Sequence, residues 1–376
     1  MLPDKTQNTA PHLRLLPLIS VIVPVHNRLS ELEECLDSLH CWRTEGCELI
    51  LVDDHSTGDV REIADRHGAR YFRTPRREGP AGARNLGVHH AIGEILVFVD
   101  ADVVLSPNTL SIIRGEFDRS PGLAGLFGSY DDEPRCAGFF SSFKNLFHHH
   151  THQAARPEAV TFWSGCGAIR KSVFETVGGF NAARYPVASI EDIELGLRLR
   201  QQGQELRLVK SLQVKHLKEW TLTSLMRTDI FQRAIPWTKL ILRTGYIPRD
   251  LNLAWASRVS AALVAAMALL AVGLFVDLLG FLKWSSKDFA VALLIAAAIL
   301  LVVNAGLYRF FRRKRGARFA IAAIAAHWAY LFYSGTAFLF ACVAEVFPVS
   351  SRPPCTESEP SDLVPTRLDE RQTPPL

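Results

Sequence analysis

Asp100-Ala101-Asp102 closes the apolar run Ile95–Val99. Two carboxylates at i and i+2 can both reach one divalent cation if the strand ends in a turn between them. A hard cation, Mg²⁺ or Mn²⁺, takes oxygen ligands and offsets the charge of a diphosphate leaving group. D-x-D alone is common in solvated turns, so the other polar clusters matter. Asp53-Asp54 ends a second apolar run, and Pro24-Val25-His26-Asn27-Arg28 ends a third. Glu191-Asp192 opens a segment with Leu195 and Leu199 at helical spacing. A carboxylate in a first helical turn is favoured as its anion by the helix dipole, which suits it to take a hydroxyl proton. His216 follows Gln213-Val214-Lys215. His148, His149, His150 and His152 invite a metal reading, but adjacent residues seldom give zinc geometry. With Phe139, Phe140, Phe143 and Phe147 they read as a solvated or membrane-surface loop.

These clusters need strands to present them. Ile19–Val23, Glu48–Val52 and Ile95–Val99 are short, β-branched apolar runs of the kind buried on both faces of a parallel sheet. Arg70–Arg73 predicts an edge strand. Helical patterns fall between the strands: Leu32, Cys35, Leu36 and Leu39 after a Ser30/Glu33 capping box, Val60–Ala64 stopping at Gly68, and Gly82–Ile92. This βαβ alternation predicts an α/β fold whose ligands gather at the carboxyl ends of the strands.

The sequence has 376 residues and a net charge of +4, too small an excess to point to a nucleic-acid partner. Its seven cysteines form no C-x-x-C pair, as expected of reduced thiols facing a cytosol. Leu15–Val25 is apolar, but Pro17 and Pro24 interrupt it, and it reads as a strand rather than a signal peptide. Beyond Arg258 the composition turns apolar. Val259–Leu282, Phe289–Phe311 and Phe319–Phe347 are each long enough to span roughly 30 Å of hydrocarbon. Residues 312–318 between the last two carry five positive charges, which places that loop in the cytoplasm and the N-terminal domain with it. Asp277 and Asn304 are expected near an interface or a helix contact. The last residues, 348–376, read as disordered.

The ordered set Ser20–Arg28, Val52–Thr57, Gly82-Ala83-Arg84-Asn85, Asp100-Ala101-Asp102, Ser164–Ala168, Gly178–Asn181 and Glu191-Asp192 resembles the inverting family 2 glycosyltransferases of GT-A fold. The resemblance covers roughly residues 18 to 240. It implies an α/β, Rossmann-like mixed sheet over 18–245, after a tail at 1–17, with a helical transmembrane region of about three helices at 259–347. It implies a donor that is a nucleotide-diphosphate sugar, UDP-linked, and a lipid or glycan acceptor at the membrane. Pro24, His26, Asn27, Arg28, Asp53, Asp54, Arg84 and Asp100 would hold the nucleotide; His26 stands where the family usually has Tyr. Asp102, with Asp100 and His216, would hold Mg²⁺ or Mn²⁺. Asp192, beside Glu191, would be the general base. Gly165, Cys166, Gly167 and Trp237 would flank the sugar and acceptor. Arg233–Trp237 replaces the Q-x-x-R-W of processive members, which implies transfer of one sugar; with Leu225, Ile230, Phe231 and Ile235 this segment reads as an interfacial amphipathic helix. The implied place is the inner cell membrane, multi-pass, with a cytoplasmic catalytic domain. Two alternatives stay open: a polyprenyl-phosphate sugar synthase, and a non-catalytic membrane protein with a degenerate transferase domain. Gly79–Gly87 lacks G-x-G-x-x-G, against a dinucleotide oxidoreductase.

Overall fold

The computed structural model describes residues 18–248, 251–279 and 286–347. The expected tails, 1–17 and 348–376, and the end of the first apolar stretch, 280–282, lie outside the described residues. Among those described, eight strands form one sheet: β1 (Ile19–Val25), β2 (Glu48–Asp53), β3 (Arg70–Arg73), β4 (Ile95–Val99), β5 (Val103–Leu105), β6 (Leu123–Tyr130), β7 (Cys166–Arg170) and β8 (Glu205–His216). Their order is β3-β2-β1-β4-β7-β6-β8-β5. The β3-β2-β1-β4 half is parallel. β7 then runs antiparallel to β4 and β6. β8 lies parallel to β6 and antiparallel to β5.

The parallel half follows from side-chain alternation. Ile95, Val97 and Val99 of β4 enter one core with Leu32, Leu36 and Trp42, while Leu96 and Phe98 enter the other with Phe162, Phe174 and Leu195. Both faces are apolar, so both carry helices. The helix Val60–His67 is capped by Asp59, which accepts from Glu62 N (3.1 Å), and ends at Gly68 with φ 59°. The expected Ser30/Glu33 box does not form. The helix there begins at Leu29, so Ser30 already lies inside its first turn and its hydroxyl donates to Glu31 instead.

Two further expectations are corrected. The His148–His152 stretch is a helix, Phe139–Ala154, not a loop. Phe143 and Leu146 share one buried face of it and pack on Leu307 and Phe311, which explains the run of aromatics. Likewise residues 225–237 do not make one interfacial face. A π-helical turn, Thr228–Ala234, inserts between the helices Leu222–Arg227 and Ile235–Thr244. Its extra residue rotates the face, so Leu225 and Trp237 are buried in separate clusters while Phe231 is exposed.

Among the described residues, three helices are long and apolar enough to cross a membrane: Trp255–Leu278, Ser286–Val303 and Ala305–Val346. The second ends earlier than the apolar pattern predicts. Asn304 stops it and donates its side-chain amide to Ser260 Oγ (2.8 Å) and Leu300 O (2.9 Å). Leu307, Tyr308 and Phe311 then belong to the next helix and face the sheet domain. That helix runs through the basic stretch and breaks its regular dihedrals at Gly316 (φ 83°, ψ 177°). Phe311, fully buried at this junction, is expected to be costly to truncate. Phe311→Ala should lose about 3–5 kcal/mol, read as a lower thermal midpoint of the purified chain; an unchanged midpoint would contradict the packing described.

Candidate active site

β1, β2 and β4 end at the same edge of the sheet, and their carboxyl ends open on a cavity of about 530 Å³. Pro24, His26 and Arg28 line it from β1, Asp54 from β2, and Asp100 and Asp102 from β4. Arg84 enters from the helix Gly79–His90, and Glu191 and Asp192 from the head of the helix Glu191–Gln201. His216 and Trp237 line it as well. Asp54, Asp102 and Asp192, far apart in sequence, thus face one space.

Asp100 and Asp102 are separated by a tight turn into β5, with Val103 N donating to Asp100 O (3.3 Å). Because β5 pairs with the end of β8, Val103 lies opposite His216, and Leu217 N donates to Asp102 O (2.8 Å). This register puts His216 Nε2 3.9 Å from Asp102 Oδ2. The His216 ring stacks on Tyr130 (centroids 4.1 Å, 15°), and burial together with the nearby Lys218 charge pushes it down to about 3, against the pull of Asp100. The imidazole is therefore neutral at pH 7. The other Asp102 neighbour is Arg28, with Nη1 3.2 Å from Oδ2.

Arg84 is buried, and its two terminal nitrogens bind Asp100 Oδ1 (2.7 Å) and Glu191 Oε1 (3.0 Å). Asp192 Oδ2 accepts from Ser164 N (3.2 Å), and Oδ1 from Ile193 N (2.8 Å). Burial, then the adjacent Glu191 charge, raise the Asp192 carboxyl to about 6; Arg84 and the two amides oppose them. The helix dipole expected to keep this carboxylate strongly acidic is thus outweighed by desolvation and by a like charge one residue away.

Five expected residues do not reach the cavity. Asp53 is fully buried beside it, its oxygens taken by Ser56 N (2.7 Å) and Tyr71 OH (2.9 Å), with Arg73 nearby. Asn27 accepts from Thr57 N (2.8 Å) and Thr57 Oγ1 (3.1 Å). Gly165, Cys166 and Gly167 lie behind Trp163, which does line the space. A Cβ on Gly165 would come within 2.4 Å of the Trp163 ring, and one on Gly167 within 2.5 Å of its carbonyl. Their smallness lets Trp163 fold over the end of β7. Asp54 lines the cavity but already accepts from Thr74 Oγ1 (3.1 Å), Glu78 N (2.8 Å) and Gly79 N (2.9 Å). Nor do Asp100, Asp102 and His216 form one ligand cluster: among the described residues no three His, Cys, Asp or Glu side chains are grouped to hold one metal ion, and Asp100 turns to Arg84.

Lys218, Tyr130, Ser189 and Gln232 also line the cavity and escaped the sequence reading, while His148 and His152, expected in a loop, line it as a helical pair with rings 4.0 Å apart. Their i, i+4 spacing was a visible signal once the segment is read as a helix. Lys218 lies over the Trp220 ring (3.7 Å), and burial lowers it to about 8; nothing local in the sequence marks it.

A parallel half-sheet continued by antiparallel strands, with carboxylates at the β4 turn and on a later helix, is the GT-A arrangement of nucleotide-sugar transferases. Residues 20–178 match the family described as Glycosyl transferase family 2. The chain is 36% identical over 99 residues to an uncharacterized glycosyltransferase of Rickettsia felis (25% of this chain, 16% of the relative). It is 32% identical over 119 residues to the GalNAc(5)-diNAcBac-PP-undecaprenol beta-1,3-glucosyltransferase of Campylobacter jejuni (30% and 38%). The matches thus span less than half of each of these relatives. A mannosyltransferase of Pyrobaculum calidifontis, solved in complex with GDP-Man and Mn²⁺, shares the fold over 90% of each chain, with TM-score 0.52 and 18% identity.

Removing Arg84 should expose the cost of the acidic cluster. Arg84→Met leaves Glu191 buried and unpaired, for a loss of about 3–5 kcal/mol in unfolding stability. Adding Glu191→Gln should recover part of it, and a double variant less stable than Arg84→Met would argue against the pairing.

Proposed function

We propose that this chain is a membrane-anchored, inverting glycosyltransferase that moves one sugar from a nucleotide-diphosphate sugar, UDP-linked, to a hydroxyl of a lipid or glycan. The observation that carries this reading is that Asp54, Asp102 and Asp192 line one cavity. We take 18–245 as the catalytic domain and 259–347 as the membrane region. The five charges at 312–318 support an inner-membrane, multi-pass arrangement with the catalytic domain in the cytoplasm. The undecaprenol-linked substrate in the name of the Campylobacter relative supports a lipid-linked acceptor.

Asp192 acts as general base. Inversion is a single displacement in which the acceptor oxygen attacks C1 of the sugar from the face opposite the diphosphate. The Asp192 carboxylate takes the hydroxyl proton as the bond forms, and the leaving diphosphate departs. Ser164 N and Ile193 N hold that carboxylate in place. Pro24, His26 and Arg28 border the base and ribose, and Asp54 fixes the 74–79 loop through its backbone amides. Asp100 orients Arg84 and, through it, Glu191.

Asp102 and the neutral His216 fit a divalent cation: one hard oxygen and one imidazole nitrogen, with phosphate oxygens and water to fill the remaining positions. When bound, Mg²⁺ or Mn²⁺ would offset the negative charge of the diphosphate. Arg28 shares Asp102 and supplies a positive charge at the same place.

Asp192→Asn should cut turnover by about 10²–10⁴ while nucleotide-sugar binding persists; wild-type turnover would remove the base. Because the base works only when ionised, kcat/KM should fall as pH drops through about 6. Glu191→Gln removes the like charge that raises Asp192, so the acid limb should move to lower pH, and a limb unmoved or moved upward would contradict the coupling. For the cation, calorimetry of nucleoside diphosphate binding should show tighter affinity with Mn²⁺ than without it, a gain that Asp102→Ala abolishes; equal affinities would count against Asp102 as a ligand.

A further inference from the structure

The π-helical turn Thr228–Ala234 carries an extra residue per turn, a geometry that is rare and concentrated at functional sites. Tertiary contacts hold it at both ends. At its start, Asp229 is buried. One carboxylate oxygen is ion-paired with Lys144 of the helix Phe139–Ala154, and the other accepts from Tyr333 OH (2.8 Å). Tyr333 belongs to the last membrane-length helix. At the other end, Pro236 has no N–H to offer the Gln232 carbonyl, its partner in an α-helix. The Ser189 hydroxyl donates to that carbonyl instead (3.1 Å), and Ser189 N donates to Glu191 Oε2 (2.9 Å). Between these tethers Gln232 and Arg233 line the cavity, and among the described residues Arg233 makes no hydrogen bond or ion pair. Relaxation of the π turn to α geometry would rotate its residues by about 100° against the following helix and turn Arg233 away.

We propose that Tyr333, Asp229 and Lys144 are positioning residues, through which the last membrane-length helix locks the π turn and aims Arg233 into the cavity. The inference rests on the transferase reading for what Arg233 serves, namely an anionic group of a substrate. It assigns the membrane region a part in building the substrate site besides anchoring it.

The test uses the full chain in lipid nanodiscs, with Tyr333→Phe, Arg233→Ala, the double variant, and Thr336→Ala as a same-helix control. Tyr333→Phe and Arg233→Ala should each raise KM for the same substrate by roughly five- to tenfold, with kcat little changed; the double variant should be no worse than Arg233→Ala, since both cut one linkage. Amide hydrogen exchange over residues 228–237 should rise in Tyr333→Phe and stay at the wild-type level in Thr336→Ala. If Tyr333→Phe folds poorly, Ser189→Ala releases the other tether and should give the same KM signature. Effects on KM that multiply in the double variant, or unchanged exchange in Tyr333→Phe, would overturn the proposal. Absence of sugar transfer by the wild-type chain would instead sink the transferase reading, while the exchange measurement would still decide whether Tyr333 holds the turn.

Discussion

The guanidinium of Arg84 sits buried between Asp100 and Glu191, and the arrangement of the site depends on that contact. A buried cation costs several kcal/mol of desolvation and persists only where carboxylates meet it with good geometry. Here the carboxylates come from the end of β4 and from a helix some ninety residues later, so the ion pairs tie the parallel half of the sheet to the segment that returns over it. Arg84 pairs with only two of the five acids that line the cavity. Asp192 is left with a like charge beside it, and its proton affinity rises; Asp102 is left with Arg28 and a neutral imidazole. Arg28, Arg77, Arg84, Lys218 and Arg233 line the same cavity as these acids, so its walls carry both signs of charge.

The antiparallel return of the sheet does the rest of the assembly. β7 inserts beside β4, and Gly165 before it and Gly167 within it leave room for Trp163 at the cavity wall. β8 runs long enough to pair first with β6 and then with β5, and that second pairing sets His216 against Asp102. A slip of one residue in the β5–β8 register would turn His216 to the other face of the sheet.

The sheet domain and the last membrane-length helix share a core rather than a tether. Phe143, Leu146, Leu307 and Phe311 form one buried cluster, and Lys144, Asp229 and Tyr333 form a polar contact beside it. The helix carrying four histidines is the common element: one side packs on the membrane-length helix, the other presents His148 and His152 to the cavity.

The sequence by itself determined the four parallel strands, the polar clusters at their ends and the long apolar segments. These are properties of local pattern: a two-residue period, a run of β-branched residues, or some twenty apolar positions can each be read without knowing what lies opposite. It also placed Glu191-Asp192 at a helix start, because the hydrophobic spacing after it is plain. Tertiary structure decided which carboxylate reaches the cavity. Asp53 and Asp54 are neighbours in sequence, yet strand alternation sends the first into contacts with Tyr71 and Ser56 and the second toward the cavity. It decided too that Asp100 binds Arg84 rather than joining Asp102, that a histidine stretch is a packed helix, and that Lys218 faces the site. Each of these is settled by a partner distant in the chain, and burial and pairing energies depend on that partner rather than on sequence neighbours.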